Sequence, residues 1–179
     1  VYAGYLAKKM GLPINKLLVA TNQNDILHRA ISNGNYEAET VSETISPSMD
    51  IQIASNFERL IFDLNDKNSE QTSKDMMKIK QEGKYSIGME KLNLINQDFL
   101  SARMSETETL DIIRSVYEEF NIILDPHTAI GYGAFDKHDL NDNNNIVLAT
   151  AHPCKFPDAI QSAINIKAEL PNELQFILN

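Results

Sequence analysis

Within its first 34 residues the chain sets out helix, strand and helix in turn, and that order constrains its fold more than anything else in it. In "VYAGYLAKKMG", Tyr2, Leu6 and Met10 recur every four residues and share one helix face, closed by Gly11 and Pro13. "KLLVA" (16–20) is a short apolar run of the kind that forms a buried strand. "TNQND" then leads into "ILHRAISNG", where Asn24 or Asp25 can cap a helix that runs to Asn33 and stops at Gly34. Such alternation predicts an α/β fold, a mostly parallel sheet flanked by helices with right-handed crossovers.

Further along, the periodicity is uneven. "YEAETVSETISPSMD" (36–50) carries Ser, Thr and Pro and reads as loop with room for one short strand. "ASNFERLIFDL" (54–64) places Phe57, Leu60, Ile61 and Leu64 on one helix face, with Ser55 or Asn56 as cap. Residues 65–75 are polar and read as exposed, 69–82 form a weak helix, and 85–104 is ambiguous, because Gly88 and the alternating Leu92 and Leu94 keep a strand open. "SETETLDIIRSVYEEF" (105–120) is the clearest helix: Ser105 and Glu108 have capping-box spacing, and Leu110, Ile113, Tyr117 and Phe120 form its apolar face. "IILD" (122–125) reads as a short strand, Pro126 as a first helical residue, "IVLAT" (146–150) as a last strand, and Pro157 as the start of another helix.

Composition narrows the function classes. Among 179 residues, 42% are hydrophobic and 23% charged, an ordinary globular balance. Acidic residues number 25 against 16 basic, a formal charge of −9 with no basic stripe, which argues against nucleic-acid binding. No apolar run approaches the ~20 residues of a membrane helix, and no secretory signal is visible. The single cysteine, Cys154, has no partner for an internal disulfide, so a reducing cytoplasm fits best. The chain opens on Val1 with no Ser, Thr, Asp or Asn ahead of its first helix, and the expectation is a chain cut inside an element.

Most motif readings fail on their spacing. Asp139, Asn141 and Asn143 match the first ligands of a calcium loop, but Asn144 stands where glycine is needed and Thr150 where glutamate is needed, so the stretch reads as a solvated loop. "GYGAFD" has Asp136 in place of the third glycine of a dinucleotide fingerprint. No G-x-S-x-G occurs, and the four histidines lack zinc spacing. Two segments remain: "LDPHTAIG" and "LATAHPCKF", each a polar cluster at the end of an apolar run, where α/β proteins keep ligands. Pattern alone leaves loop structure and catalysis both open for them.

Taken together, "AGYLAKKMGLPI", "LLVATNQNDILHR", "SPSMDIQIASNFERLIFDL", "DPHTAIG" and "TAHPCKFPDAI" resemble the threonine synthase family, in that family's order and over most of the chain; the middle, about 65–104, matches loosely. The resemblance implies the fold of the tryptophan synthase β-subunit and pyridoxal 5'-phosphate as cofactor. It implies conversion of O-phospho-L-homoserine and water to L-threonine and phosphate. It also implies that the glycine-rich phosphate loop and the Schiff-base lysine lie upstream of this chain, which then corresponds to the carboxyl-terminal portion.

Thr150 matches the family position whose hydroxyl faces the pyridine nitrogen of the cofactor. A carboxylate there would hold the nitrogen protonated, whereas a neutral hydroxyl only hydrogen-bonds it, giving a moderated electron sink. Asn24, Asp25, Asp50 and His127 fall in family-matching motifs, where a cap or turn role competes with ligand contact. His152 and Lys155 line the pocket or steady the turn. Lys155 has the chemistry of a Schiff-base lysine, and the resemblance argues against that use. A catalytically inactive relic, half of a split enzyme, or a ligand-binding module on the same lobe are the competing readings.

Overall fold

The computed structural model describes residues 2–140, 144–172 and 175–176. The chain divides into two compact units, Val1–Glu43 with Met49–Arg103, and Thr44–Ser48 with Met104–Asn179.

The first unit begins with α1 (Tyr2–Lys9), β1 (Leu17–Thr21) and α2 (Ile26–Asn33), as the alternation predicts. β2 (Asn35–Glu37), α3 (Ser55–Leu64), α4 (Ser69–Glu82), β3 (Lys84–Ser86), α5 (Met89–Asp98) and β4 (Phe99–Arg103) complete it. β1 and β4 pair in parallel, Leu17 opposite Phe99 through Thr21 opposite Arg103. β2 and β3 form a separate antiparallel pair. Parallel strands need a long connection between them, and the helices between β1 and β4 supply it. Alternate residues of β1 (Leu17, Val19 and Thr21) are buried, the period-two signature of a strand with one covered face. The core beneath gathers Ile26, Ile61, Ile95 and Phe57, and Tyr36 stacks on Phe57 with ring centroids 4.9 Å apart. Each fully buried isoleucine contributes about 1.5–3 kcal/mol.

Helix ends follow local chemistry in most places. Gly34 ends α2 at φ 78°, and a Cβ there would stand 2.8 Å from the carbonyl oxygen of Ile87, so both conformation and space demand glycine. Asn68 caps α4 by accepting from the Gln71 amide at 3.0 Å. Neither Ser55 nor Asn56 caps α3: Ala54 holds the cap position without a side-chain bond. Helix α3 is held instead by its buried face of Phe57, Leu60 and Ile61. The ambiguous 85–104 stretch holds the end of β3, then α5 and β4, because Leu92 and Ile95 turn to one helix face before the backbone extends at Phe99.

The second unit packs α6 (Glu106–Phe120), α7 (Pro126–Gly133) and α8 (Pro157–Ile164) around Ile113, Ala129, Ile160 and Ala163. The capping box of α6 is present: Ser105 Oγ accepts from the Glu108 amide at 3.3 Å, and the Ser105 amide donates to Glu108 Oε2 at 2.7 Å. Hydrogen bonds from Lys137, from the Ser105 amide and from the Ser105 hydroxyl pull the Glu108 carboxyl down to about 2. Pro126 and Pro157 occupy first-turn positions, as predicted.

Two predicted strands are absent. Residues 146–150 (Ile146–Ala149 and Thr150) and 122–125 are irregular in the structure. Branched apolar residues favour extended backbone, but a strand exists only where a neighbour completes its ladder. Among the described residues the only ladders are β1 with β4 and β2 with β3. Ile146 is accordingly 86% exposed and Leu148 66% exposed. Of the calcium-loop residues, Asn141 and Asn143 lie outside the described residues. No helix among the described residues is long and apolar enough to cross a membrane.

A buried carboxylate ties the first unit together. Asp75 on α4 is 3% exposed. Its oxygens accept from Gln71 at 2.9 Å, Asn65 at 3.1 Å and Tyr85 of β3 at 3.2 Å, with Lys91 of α5 at 3.7 Å. Burial pushes the Asp75 carboxyl up, but the bonds from Asn65, Gln71 and Tyr85 and the Lys91 charge outweigh it and leave it below its ordinary value. Burial and the adjacent Asp75 push the Tyr85 phenol up. A depressed folded value means that the unfolded chain binds more protons, so Asp75 stabilises the fold above ~4 and stops doing so as pH falls through its lower folded value. Asp75→Ala should cost about 2–4 kcal/mol in urea unfolding at neutral pH. Asp75→Asn should flatten the acid limb of the stability curve below pH ~4. An acid limb identical in parent and Asp75→Asn would remove Asp75 from that role.

Candidate functional site

The polar residues that the sequence singles out fall around two clusters, one in each unit. In the first unit, Asn22 and Asn24 follow β1 directly, where the backbone leaves the sheet and its polar groups need new partners. Both are buried. Asn22 Oδ1 accepts from the Asn24 amide at 2.9 Å, and the Asn22 and Asn24 amide nitrogens donate to Asp50 Oδ1 at 2.7 and 2.9 Å. Asn24 also binds the Ser42 backbone in both senses, donating to its carbonyl and accepting from its N–H at 2.8 Å each. Asn24 and Asp50 are thus brought together, with Asn24 also holding the Ser42 backbone beside the residues that follow β1.

Asp25 takes the N-cap position of α2 but makes no side-chain cap bond. Its carboxylate turns to Arg29, at 2.8 Å one helical turn on, and to Arg103 at 3.5 Å. Arg29 Nη1 is buried without a hydrogen bond of acceptable angle, yet lies 3.3 Å from Glu39 Oε1. At that distance the charge attraction survives the poor alignment.

The second cluster is built on the start of α7. Asp125 is 1% exposed and caps the helix, accepting from the His127 amide at 3.0 Å and the Thr128 amide at 3.4 Å. Its Oδ1 also meets His127 Nδ1 at 3.0 Å, and its Oδ2 accepts the Thr128 hydroxyl proton. On the far side of the imidazole, Nε2 accepts from the Ser48 amide at 3.2 Å. A backbone N–H can only donate, so Nε2 carries a lone pair and the ring proton sits on Nδ1, pointing at Asp125. Phe156 packs against the same ring, centroids 4.8 Å apart.

Thr150 joins this cluster through Thr128. The Thr150 amide donates to Thr128 Oγ1 at 3.1 Å, and the two hydroxyl oxygens are 3.5 Å apart. Thr150 itself is exposed. His152 is also exposed, and its Nδ1 accepts from the Cys154 amide at 3.2 Å, capping a single 3-10 turn at Pro153–Lys155. Lys155 ends that turn with its side chain exposed.

Within the second unit, then, His127 and Thr150 belong to one network, while His152 is engaged locally. Sequence reasoning missed Asn22, Asp125 and Thr128, which make the connections. Asp125 and Thr128 carry a readable signal: an Asp just before a first-turn Pro is a helix cap, and a residue three positions on is within its reach. Asn22 carries none, since its partner Asp50 is distant in sequence.

The family model described as "Threonine synthase, C-terminal" matches residues 128–179. The chain is 43% identical to the threonine synthase of Pseudomonas aeruginosa, over 91% of its own length and 35% of that protein's. This chain is similar to the carboxyl-terminal part of threonine synthase. The fold says the same. The pyridoxal-phosphate-bound threonine synthase of Brucella melitensis superposes with a TM-score of 0.92 at 44% identity, over 97% of this chain and 37% of that one. The yeast threonine synthase does so with a TM-score of 0.90 at 39% identity, over 99% and 40%. The chain therefore spans 35–40% of the length of these threonine synthases.

His127→Phe keeps a ring beside Phe156 and removes both nitrogens. The Ser48 N–H then loses its acceptor, and Asp125 loses a donor. The change should cost about 1–3 kcal/mol in urea unfolding, and the Ser48 amide should exchange faster with solvent. Parental stability with an unchanged Ser48 amide would make the imidazole a packing group only.

Proposed function

We propose that this chain is the carboxyl-terminal portion of a cytoplasmic threonine synthase, a pyridoxal-phosphate-dependent lyase. The intact enzyme converts O-phospho-L-homoserine and water to L-threonine and phosphate, the last step of threonine biosynthesis. One observation carries the reading: a TM-score of 0.92 at 44% identity to a threonine synthase over 97% of this chain. The share of that protein covered, 37%, supports assigning the cofactor lysine and the phosphate-binding glycine loop to the remainder of the enzyme.

In this reading Thr150 is the partner of the cofactor's ring nitrogen. The residues present fit such a group. Thr150 is exposed, and Thr128 commits its own proton to Asp125. The Thr150 hydroxyl is therefore a neutral group with a proton and lone pairs to offer, the chemistry a pyridine nitrogen takes. When bound, pyridoxal phosphate supplies an electron sink for the bonds broken at the substrate. Thr150 orients the ring and tempers that sink by hydrogen bonding without adding a charge. In the first unit, Asn24 ties Asp50 and the Ser42 backbone together, and Asp25 pairs with Arg29 and Arg103. His127 braces Asp125 from behind. His152 steadies the turn at Pro153–Lys155, and Lys155 offers an exposed cation to the anionic substrate and does not serve as the cofactor lysine.

The isolated chain, mixed with pyridoxal phosphate and O-phospho-L-homoserine, should release no phosphate above buffer, and borohydride should trap no cofactor on Lys155. Joined to the rest of the enzyme it should turn over. Thr150→Val in that enzyme removes one hydrogen bond worth roughly 1–3 kcal/mol, so turnover should fall about five- to a hundredfold. Thr150→Ser should be mild, and Thr150→Asp should disturb the chemistry more than cofactor binding. Turnover by the isolated chain, or parental turnover in Thr150→Val, would overturn the respective assignment.

A further inference from the structure

We propose that Thr128 is a positioning residue for Thr150, and that the Asp125 carboxylate acts on the ring-nitrogen site through these two hydroxyls. The inference rests on the reading of Thr150 given above. Its physical basis is a directed chain of hydrogen bonds in which Asp125 fixes where the Thr128 proton goes.

The chain starts at Asp125, whose buried carboxylate accepts from the His127 and Thr128 amides and from His127 Nδ1. The remaining oxygen, Oδ2, takes the Thr128 hydroxyl proton. A hydroxyl has one proton and two lone pairs. With that proton spent on Asp125, Thr128 Oγ1 faces Thr150 as an acceptor only. It receives the Thr150 N–H at 3.1 Å and lies 3.5 Å from Thr150 Oγ1.

Two consequences follow. The first is mechanical. Residues 146–150 belong to no ladder among the described residues, and Ile146 is 86% exposed. The bond from the Thr150 amide to Thr128 therefore anchors the end of this segment to α7, which is itself buried at Thr128, Ala129 and Ile130. The second is electronic. Thr128 cannot donate to Thr150, so the Thr150 hydroxyl is free to donate to an unprotonated ring nitrogen. Should the nitrogen carry a proton, Thr150 accepts it in a hydrogen bond and turns its own proton to the Thr128 lone pair. The hydroxyl serves both states, and Asp125 biases the second without touching the ring.

The first measurement is hydrogen exchange at the Thr150 amide in the full chain, which needs no cofactor. Thr128→Val should expose that amide about tenfold or more, the factor that ~1.4 kcal/mol represents, whereas Thr128→Ser should keep it protected. Where Val disturbs the circular dichroism spectrum, Thr128→Ala replaces it. In the enzyme completed with its preceding region, Thr128→Val should lower kcat with little change in KM, and Thr128→Ser should restore it. Combined with Thr150→Val, Thr128→Val should add no further loss, because a residue that acts through Thr150 is silent once that hydroxyl is gone. An unchanged Thr150 amide in Thr128→Val, or losses that multiply in the double variant, would overturn the proposal. A silent Thr150→Val with an exposed amide in Thr128→Val would instead overturn the ring-nitrogen reading and leave the anchoring role standing.

Discussion

A carboxylate withdrawn from water must find donors for both oxygens or destabilise the fold that buries it. Asp125 meets that demand almost wholly from within three residues: the two amides that open α7, the His127 ring and the Thr128 hydroxyl. The second unit's polar cluster depends on this arrangement. It fixes the imidazole tautomer, and so decides that Nε2 can accept the Ser48 amide. It consumes the Thr128 proton, and so decides that Thr128 can receive the Thr150 amide. A single buried charge thereby sets the polarity of bonds reaching two distant stretches of chain.

The first unit solves a similar problem with different parts. Asp75 is equally withdrawn, but its donors come from α4 itself, from the residue after α3, from β3 and from α5. Where Asp125 organises a helix terminus, Asp75 fastens four elements to one another. The Asn22, Asn24 and Asp50 cluster is a third case: two amides with both donors and acceptors latch a loop onto the end of β1. In each case the buried polar groups find their partners within the fold itself.

Much of the fold was legible because its signals are local. The α6 capping box, the first-turn prolines of α7 and α8 and the glycine that ends α2 each act within one helical turn. β1 was legible from five residues of apolar run, and the likeness to threonine synthase from motifs scattered along the chain. The failures share a cause. The 146–150 and 122–125 runs have strand composition, yet pairing depends on a neighbour that the run itself does not encode. The α3 start has two capping residues in its sequence and uses neither, because burial of Phe57, Leu60 and Ile61 decides where that helix begins.

The candidate site divides along the same line. Sequence by itself determined which residue types follow the apolar runs, including Thr150, His127 and Asn24, and that Asp50 closes a polar loop, since motif and order are properties of the chain alone. It also determined that Asp125 precedes a helix-opening proline. Only the tertiary structure decided which of these groups meet. Asp25 turned from capping to Arg29 and Arg103, Asp50 became the acceptor for two asparagines, and Thr128 became the link between Asp125 and Thr150. The physical reason is that a hydrogen bond depends on distance and direction in space, over about 3 Å and a narrow range of angles. Residues 22 and 50, or 128 and 150, come within that range only after the backbone between them has folded.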